Sequence, residues 1–394
     1  MKRRSLLAMT AALPLLTVAG RLYAAPRSPA RLLLVFLRGG YDCASLLVPY
    51  SSSYYYEVRP HIAIARPSDS DTDGALAIDA DWALAPAVRE ALAPLLQQRE
   101  LALIPFAGTD DVSRSHFETQ DSLELGQPLS ARDYRSGFLA RLAQQLNGAA
   151  PIAFTDALPL VFRGAGDIPN LSVKSVGKPA FDARQSRILA SLYQSQPLQP
   201  QVSEGLALRQ EVAQTLEEEM SAAGRGAITA KGFELEATRI GRLMRDSYAL
   251  GFVDVGGWDT HVNQGAAQGT LAGNLKNLAR GLGAYAAALG PAWQDTVVVV
   301  VSEFGRTFRE NGNAGTDHGH GSVYWVLGGA VRGGRVAGEG QALSAATLFE
   351  GRDYPVLNEY RSLLGGLFGR LWGLSPQQLE AVFPAAVPRD LGLA

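Results

Sequence analysis

The chain has 394 residues, and its 38 acidic and 36 basic side chains give a formal net charge of −2. This balance excludes a nucleic-acid partner that is held by bulk positive charge. Cys43 is the only cysteine, so the chain cannot form an internal disulfide, and its stability has to come from a conventional hydrophobic core.

Residues 1–25 have the pattern of an export signal. Basic residues at positions 2–4 precede an apolar run over residues 6–18, and alanines at 24–25 suit cleavage. The run is too short to cross a bilayer comfortably. Paired arginines directly before it predict export by the twin-arginine translocase, with an ordinary secretory signal as the alternative. We therefore expect a periplasmic or secreted protein, with a mature domain over residues 26–394 that has no transmembrane segment.

Continuous apolar runs predict the strands of a central sheet. They cover Arg31–Leu37, Leu101–Phe106, Thr296–Val301 and Val323–Leu327. A run without alternation implies that both faces of the strand are buried, as in the middle of a parallel sheet.

Segments with helical spacing lie between these runs, and they are Ala85–Gln98, Ser130–Asn147, Phe233–Tyr248 and Asn274–Leu289. Buried strands that alternate with helices predict an α/β fold, a three-layer sandwich with a mainly parallel central sheet. The polar region 191–227 is interpreted as a helical insertion on the surface.

Polar motifs follow the predicted strands, and ligands of open α/β sheets bind beyond the carboxyl ends of the strands. After the first strand, Asp42 is a candidate metal ligand, although the local sequence by itself favours a helix N-cap at this position. Cys43, beside it, is interpreted as a small buried residue.

The motif after the second strand combines a serine, an arginine and a histidine. Ser115 is a candidate nucleophile or anion-positioning group at the start of a helix. Arg114 is a candidate for holding two substrate oxygens, and His116 for proton transfer. An equally weighted alternative is a capping box that joins Ser115 to Glu118.

Asp259 and His261 stand two residues apart after a pair of glycines. In an extended segment such residues point to the same side, so both can bind one metal ion. The alternative is that Asp259 only orients a structural histidine by a hydrogen bond.

Glu303 follows the most regular predicted strand and is a candidate metal ligand, with a surface pair to Arg306 as its alternative. Arg306 is also a candidate for binding substrate oxygens. The loop that follows holds Asp317, His318 and His320 within four residues. This mixture of oxygen and imidazole donors suits zinc, manganese or iron, and is unlike a structural zinc site.

Four stretches together resemble the bacterial, twin-arginine-exported family called domain of unknown function 1501, grouped with the alkaline phosphatase and sulfatase superfamily. They are Leu37–Asp42, Ser113–Phe117, Gly256–His261 with Gln264, and Ser302–Thr307 through to Gly319. The resemblance implies an alkaline-phosphatase-like fold with a paired metal centre. It makes Asp42 resemble the superfamily's first aspartate, Ser115 or Ser113 its nucleophile, and Asp259 with His261 its Asp/His pair.

The chain departs from the superfamily pattern after the late strand. Glu303-Phe304 stands where a relative has Asp-His, and Asp317-His318-Gly319 comes later, where the superfamily supplies a last lone histidine. This departure leaves open whether the protein binds two metal ions, one or none.

The leading hypothesis is an exported metal-dependent hydrolase of small phosphate or sulfate esters that uses zinc or manganese. Its predicted ligands are Asp42, Asp259, His261, Glu303, Asp317, His318 and His320. The alternative is a non-catalytic envelope protein on a degenerate hydrolase fold that binds a partner or a glycan. A dinucleotide oxidoreductase is excluded, because no Gly-x-Gly-x-x-Gly turn follows the first strand.

Overall fold

A computed structural model describes residues 30–172 apart from positions 69, 147 and 167, a few positions between 191 and 202, and residues 232–394. The predicted export signal at 1–25 and most of the predicted insertion at 191–227 lie outside the described residues.

The described strands form a large central sheet and a small one. The strands are β1 Arg31–Leu37, β2 Leu47–Val48, β3 Leu76–Ala77, β4 Ala83–Leu84, β5 Leu101–Gly108, β6 Pro151–Phe154, β7 Leu250–Val255, β8 Thr296–Ser302, β9 Ser322–Leu327, β10 Arg335–Val336 and β11 Asn358–Glu359. The central sheet has eight strands in the order β10-β5-β9-β8-β1-β7-β6, with β11 beside β5, and the small one has the order β2-β4-β3.

The central sheet is mainly parallel, as predicted. Strand β1 pairs in parallel with β7 and β8, and β6 pairs in parallel with β7. Strand β9, which covers the predicted run Val323–Leu327, is antiparallel to both β5 and β8. An apolar run reports burial of both faces and carries no information on direction, so the sequence could not show this reversal.

Helices cover both faces of the sheet, which confirms the α/β fold. They are α1 Ser53–Val58, α2 Arg89–Gln97, α3 His116–Leu125, α4 Phe138–Gln145, α5 Phe233–Asp246, α6 Thr270–Leu289, α7 Tyr360–Trp372 and α8 Pro376–Val382. Alternate residues of β1 enter two separate cores: Leu33 and Val35 pack with α5 and α6, whereas Leu34 and Phe36 pack with α4, α7 and α8. This period of two is the signature of a sheet between two helical layers.

Two predicted helices begin later than their apolar spacing indicated. The segment Ala85–Gln98 starts with a 3₁₀ turn at Pro86–Val88, and the α-helix begins at Arg89. Within Ser130–Asn147 the helix begins only at Phe138, because Gly137 before it has extended backbone angles. None of the helices in the described part of the chain has the length and hydrophobicity that a membrane crossing requires.

One edge of the sheet gathers the polar motifs. Because β9 is antiparallel to both β8 and β5, strand β5 runs in the same direction as β1, β7 and β8. Leu37 lies opposite both Val255 and Ser302 in the register, so β1, β7 and β8 end at the same level. The reversed strand β9 begins at this edge, and the Asp317–His320 loop that enters it is therefore brought to the same place.

Candidate metal centre

Four side chains from three loops converge beyond this edge. Asp259 Oδ1 lies 2.9 Å from His261 Nε2 and 3.3 Å from His318 Nε2, and these two nitrogens are 3.2 Å apart. His116, the first residue of α3, places its Nε2 atom 3.0 Å from His318 Nε2 and 3.7 Å from Asp259 Oδ2. The result is two triads of donor atoms that share Asp259 and His318.

These separations fit the donors of a metal ion. Two ligands bound tetrahedrally at roughly 2.0–2.1 Å from zinc lie roughly 3.3 Å from each other. The triad of Asp259, His261 and His318 has edges of 2.9, 3.2 and 3.3 Å. Among the described residues, His116, Asp259 and His318 form one group whose ligand atoms all lie within 4.8 Å of one another. The donor set of imidazole and carboxylate fits zinc or manganese.

The outer nitrogen of His116 is held by Glu303. His116 Nδ1–H donates to Glu303 Oε1 at 2.8 Å, and the same oxygen accepts from Gln120 Nε2 at 2.9 Å and from the Gly39 backbone N–H at 2.8 Å. Burial raises the pKa of Glu303, but the hydrogen bonds from His116 and Gln120 outweigh burial and leave it lowered. The hydrogen bond to Glu303 in turn raises the pKa of His116. Glu303 therefore fixes the orientation of the His116 ring through the nitrogen that faces away from the centre.

The other two imidazoles are held in the same way. His261 Nδ1–H donates to Asp317 Oδ1 at 3.1 Å, and His318 Nδ1–H donates to the Arg114 carbonyl at 3.2 Å. Metal-binding histidines commonly donate the second ring nitrogen to a carboxylate or a carbonyl, which fixes the tautomer. All three histidines consequently present Nε2 to the centre.

Asp259 is fixed by a buried arginine. Arg306 Nη1 donates to Asp259 Oδ1 at 2.6 Å, while its Nη2 and Nε donate to the Thr316 carbonyl and hydroxyl at 2.7 and 3.3 Å. Burial raises the pKa of Asp259, but the hydrogen bond and the charge of Arg306 outweigh burial and lower it. The carboxylate that faces the histidines is thus held in its ionised form.

Backbone strain is concentrated around this centre. Of the seven non-glycine residues with positive φ in the described chain, Arg114, Asn263, Ala314 and Glu350 lie in the surrounding loops. Such conformations cost about 1–3 kcal/mol each and cluster at functional sites. Position 39 requires glycine for two reasons. Its φ of 127° is disfavoured for other residues, and a Cβ there would come within 2.9 Å of the Asp259 backbone nitrogen.

Asp42 contacts Arg59, Gln264 and Ser45, and none of its hydrogen bonds is to a donor of the candidate metal centre. Its oxygens accept from Arg59 Nη1 and Nη2 at 2.6 and 3.0 Å, from Gln264 Nε2 at 2.6 Å and from Ser45 Oγ at 2.8 Å. It makes no side-chain capping bond to the 3₁₀ turn that follows. Asp42 is thus placed in a buried ion pair, and its predicted role as a metal ligand stays a prediction.

Ser115 and Arg114 stand directly before the donor His116. Ser115 is the N-cap residue of α3, but its side chain makes no capping hydrogen bond, so the capping box with Glu118 is not formed. The Arg114 guanidinium contacts Asp353 Oδ2 at 2.7 Å and Glu350 Oε2 at 2.6 Å. Its donors are therefore engaged by carboxylates, whereas those of Arg306 are divided between the Asp259 carboxylate and the carbonyl and hydroxyl of Thr316.

His320 lies outside the group of donors. Its ring is buried against Phe349, with the ring centroids 4.9 Å apart, and burial lowers its pKa. Of the predicted ligands, the structure brings together Asp259, His261 and His318. Glu303 and Asp317 lie behind the donors, where each accepts a hydrogen bond from a donor histidine.

Sequence reasoning assigned His116 to proton transfer and did not include Gln120, Arg59 or Asp353. The signal for Gln120 was available, because it stands four residues after His116 and therefore on the same helix face. Nothing in the local sequence connects Arg59 to Asp42 or Asp353 to Arg114.

Fold and site together define an α/β protein with a candidate metal centre at the carboxyl edge of its sheet. The chain belongs to the family described as "Protein of unknown function (DUF1501)", whose model matches residues 29–383. This match confirms the family predicted from the sequence. Among curated proteins, none matches the chain.

Several solved structures are similar to the chain at low sequence identity. A protein in the alkaline phosphatase superfamily from Vibrio parahaemolyticus is 12% identical with a TM-score of 0.39, over 92% of this chain and 70% of that one. The lipoteichoic acid synthase LtaP from Listeria monocytogenes is 9% identical with a TM-score of 0.39, over 93% and 76% of the two chains. The soluble domain of lipooligosaccharide phosphoethanolamine transferase A from Neisseria meningitidis is 12% identical with a TM-score of 0.35, over 76% and 77%. At these TM-scores the chemistry of the site has to be inferred from this chain's own side chains.

Proposed function

We propose that the protein is a metal-dependent hydrolase of phosphate or sulfate esters that uses one divalent cation, zinc or manganese. Asp259 and His318 would hold the cation, with His116 and His261 as flanking donors. The observation that supports this proposal is the convergence of three Nε2 atoms on Asp259 while each Nδ1–H is donated outward.

That arrangement favours a cation for an electrostatic reason. Whenever a ring is neutral and donates its Nδ1–H group outward, it presents its Nε2 lone pair beside an ionised carboxylate. Lone pairs about 3 Å apart repel unless a proton or a metal ion lies between them. A divalent cation bound there would polarise an ester oxygen or lower the pKa of a bound water.

Ser115 is proposed as the nucleophile or as the residue that positions the anion. It immediately precedes His116, and its side chain does not cap α3. The free N–H groups in the first turn of a helix attract an anionic group, so a substrate phosphate or sulfate would lie close to the donors. Arg306 is proposed to position Asp259, and the predicted binding of substrate oxygens by Arg114 and Arg306 stays a prediction.

Export to the cell envelope is also part of the proposal, and it rests on the residue pattern at 1–25. The double substitution Arg3→Lys and Arg4→Lys should leave the full chain in the cytoplasm. Normal export of that variant would contradict the twin-arginine route and favour an ordinary secretory signal.

Metal analysis and a panel of aryl phosphates and sulfates test the function. We expect about one equivalent of zinc or manganese in the purified chain, and its loss in His318→Ala and Asp259→Ala. The exposed His61 provides a matched control, and His61→Ala should keep both metal and turnover. Absence of bound metal, or turnover that Ser115→Ala leaves unchanged, would contradict the proposal.

The second candidate function is a non-catalytic envelope protein that binds a partner or a glycan. It is favoured by one observation: Asp259 and Asp42 each form an ion pair with an arginine, Arg306 and Arg59 respectively, so that side chains of the protein itself balance their charge. This alternative predicts that Asp317→Ala unfolds the protein. It also predicts that the unmodified chain turns over no ester on the panel, even with metal added.

A further inference from the structure

A carboxylate behind the candidate metal centre holds two arginines that both contact His318. Asp353 is fully buried. Its Oδ2 atom accepts from Arg114 Nε at 2.9 Å, and it lies 2.7 Å from Arg114 Nη2 and 3.4 Å from Arg352 Nη1. The two guanidinium groups therefore share one oxygen of one carboxylate.

The two arginines fix His318 in different ways, one through its ring and the other through its backbone. The Arg114 carbonyl accepts from His318 Nδ1–H at 3.2 Å, and Arg352 Nη2 donates to the His318 carbonyl at 2.8 Å. Arg114 presents that carbonyl from a backbone with φ 54°, which is disfavoured for a residue with a side chain. The bonds from its guanidinium to Asp353 help to hold this conformation.

Asp353 is itself anchored to the backbone that carries His318. It forms isolated antiparallel bridges with Thr307 and Phe349, and Arg306, the residue before Thr307, forms another with His318. The carboxylate, the two arginines and the donor His318 are thus parts of one connected unit.

Stability by itself does not account for the placement of this carboxylate. Asp353 Oδ1 is buried and has no hydrogen-bond partner among the described residues. Burial of a carboxylate with an unsatisfied oxygen destabilises a fold. All the contacts of the side chain are on Oδ2, the atom that faces the two arginines.

We propose that Asp353 is a positioning residue of the candidate metal centre. By holding Arg114 and Arg352, it fixes the ring of His318 with Nε2 toward Asp259. His318 is the donor that both triads share with Asp259, so its direction affects every donor pair of the centre. This inference rests on the proposed metal-dependent function and adds a residue to the support of its donors.

Nuclear magnetic resonance of the imidazole nitrogens tests the positioning without metal or turnover. The full chain has five histidines, so their isotope-labelled rings can be assigned by substituting them one at a time. In the chelator-treated chain His318 should carry its proton on Nδ1. Asp353→Ala should bring the His318 ring into exchange between tautomers. The signals of His261, whose Nδ1–H is donated to Asp317, should not change.

Zinc affinity, measured by chelator competition, should fall about tenfold in Asp353→Ala, the lower end of the effect of removing an outer partner of a metal ligand. Asp353→Asn keeps an acceptor oxygen and should recover part of the loss. Glu350→Gln is the matched control, because Glu350 also pairs with Arg114 at 2.6 Å but is 58% exposed. We expect this control to change the affinity by less than about twofold.

Unchanged His318 signals in folded Asp353→Ala would overturn the inference, as would equal losses of zinc affinity in Asp353→Ala and Glu350→Gln. If Asp353→Ala does not fold, Arg352→Met decides, because it alters a side chain that is 40% exposed and removes one of the two links. Its His318 signals should change, and unchanged signals would overturn the inference. A change in the His318 signals of a chain that binds no zinc contradicts the proposed function and leaves the positioning role of Asp353 intact.

Discussion

Arg306 and Asp259 form an ion pair of unequal exposure. The 2.6 Å bond from Nη1 to Oδ1 joins a guanidinium that is fully buried to a carboxylate that is 45% exposed. The arginine is thereby anchored in the protein, with Thr316 as its second partner, while the carboxylate is presented to the histidines. The pair sets both the charge and the direction of the shared donor.

Arg306→Met should weaken metal binding by about tenfold, because Asp259 loses the hydrogen-bond partner that fixes its direction, and the loss of such a partner has this effect at other metal sites. The free energy of unfolding should fall by about 2–3 kcal/mol, since charged hydrogen bonds are removed from a buried position. Chelator competition and urea unfolding measure the two effects. Thr316→Val keeps the ion pair and serves as the control. Metal affinity that Arg306→Met leaves unchanged would show that Asp259 needs no anchoring.

Glu303→Gln should lower metal affinity by about 10- to 100-fold, the usual effect of removing a carboxylate that orients a metal-binding histidine. Asp317→Asn is the matched comparison, because Asp317 holds His261 in the same way but is 52% exposed, whereas Glu303 is 0% exposed. We expect the effect at Asp317 to be several-fold smaller. Equal effects would mean that burial of the second carboxylate is unimportant, and chelator competition decides between these outcomes.

Asp42→Asn should destabilise the fold by about 3–5 kcal/mol, because Arg59 then stays buried without its counter-charge. Replacing both residues, as Asp42→Asn with Arg59→Met, should restore part of the loss. Urea unfolding of the two single variants and the double variant gives the coupling energy. A loss of less than about 1 kcal/mol in Asp42→Asn would indicate that water or another group neutralises Arg59.

The same pair predicts a pH dependence of stability. Burial raises the pKa of Asp42, but Arg59 outweighs burial and lowers it below the ordinary value of 3.8. A carboxylate with a lowered pKa stabilises the fold above its unfolded-state value, and this contribution disappears as the pH falls through the folded-state value. The stability difference between the natural chain and Asp42→Asn should therefore be constant from pH 7 to 5 and shrink below pH 3.8. Unfolding midpoints across this range measure it, and a difference that shrinks already between pH 7 and 5 would contradict the assignment to Asp42.

Arg141→Met should destabilise the protein by about 2–4 kcal/mol. Its guanidinium donates to the carbonyls of Leu125 and Val382, the last residues of α3 and α8, at 2.6 and 2.8 Å. Terminal helix carbonyls lack partners within the helix, so this one side chain satisfies two helix ends. Arg135→Met, which removes a side chain that is 90% exposed, should change the free energy of unfolding by less than about 0.5 kcal/mol. Similar urea midpoints for the two variants would contradict this role of Arg141.

Much of the fold was predictable because burial leaves a local record. Strand β8 is an unbroken β-branched run, and α6 has regular apolar spacing, so both could be assigned from residues that are neighbours in sequence. The short strands β10 and β11, of two residues each, leave no such record. Their assignment depends on hydrogen bonds to β5, far away in the chain.

The candidate site was predictable in composition and less so in arrangement. The clustering of histidines with aspartates, and their position after strands, identified Asp259, His261 and His318 together with Glu303. The sequence had no means of showing that Glu303 contacts the outer nitrogen of His116, because that bond joins residues 187 positions apart.

By itself, the sequence determined the layers of the fold, the family and the kinds of donor atom, since each is recorded in residue type and local spacing. Tertiary structure decided which atoms meet. Because β9 is antiparallel, the loop before it places His318 at the edge where β1, β7 and β8 end. The buried guanidinium of Arg59 forms an ion pair with Asp42. Strand direction and ion pairing depend on partners distant in sequence, and hydrophobic periodicity carries no information about either.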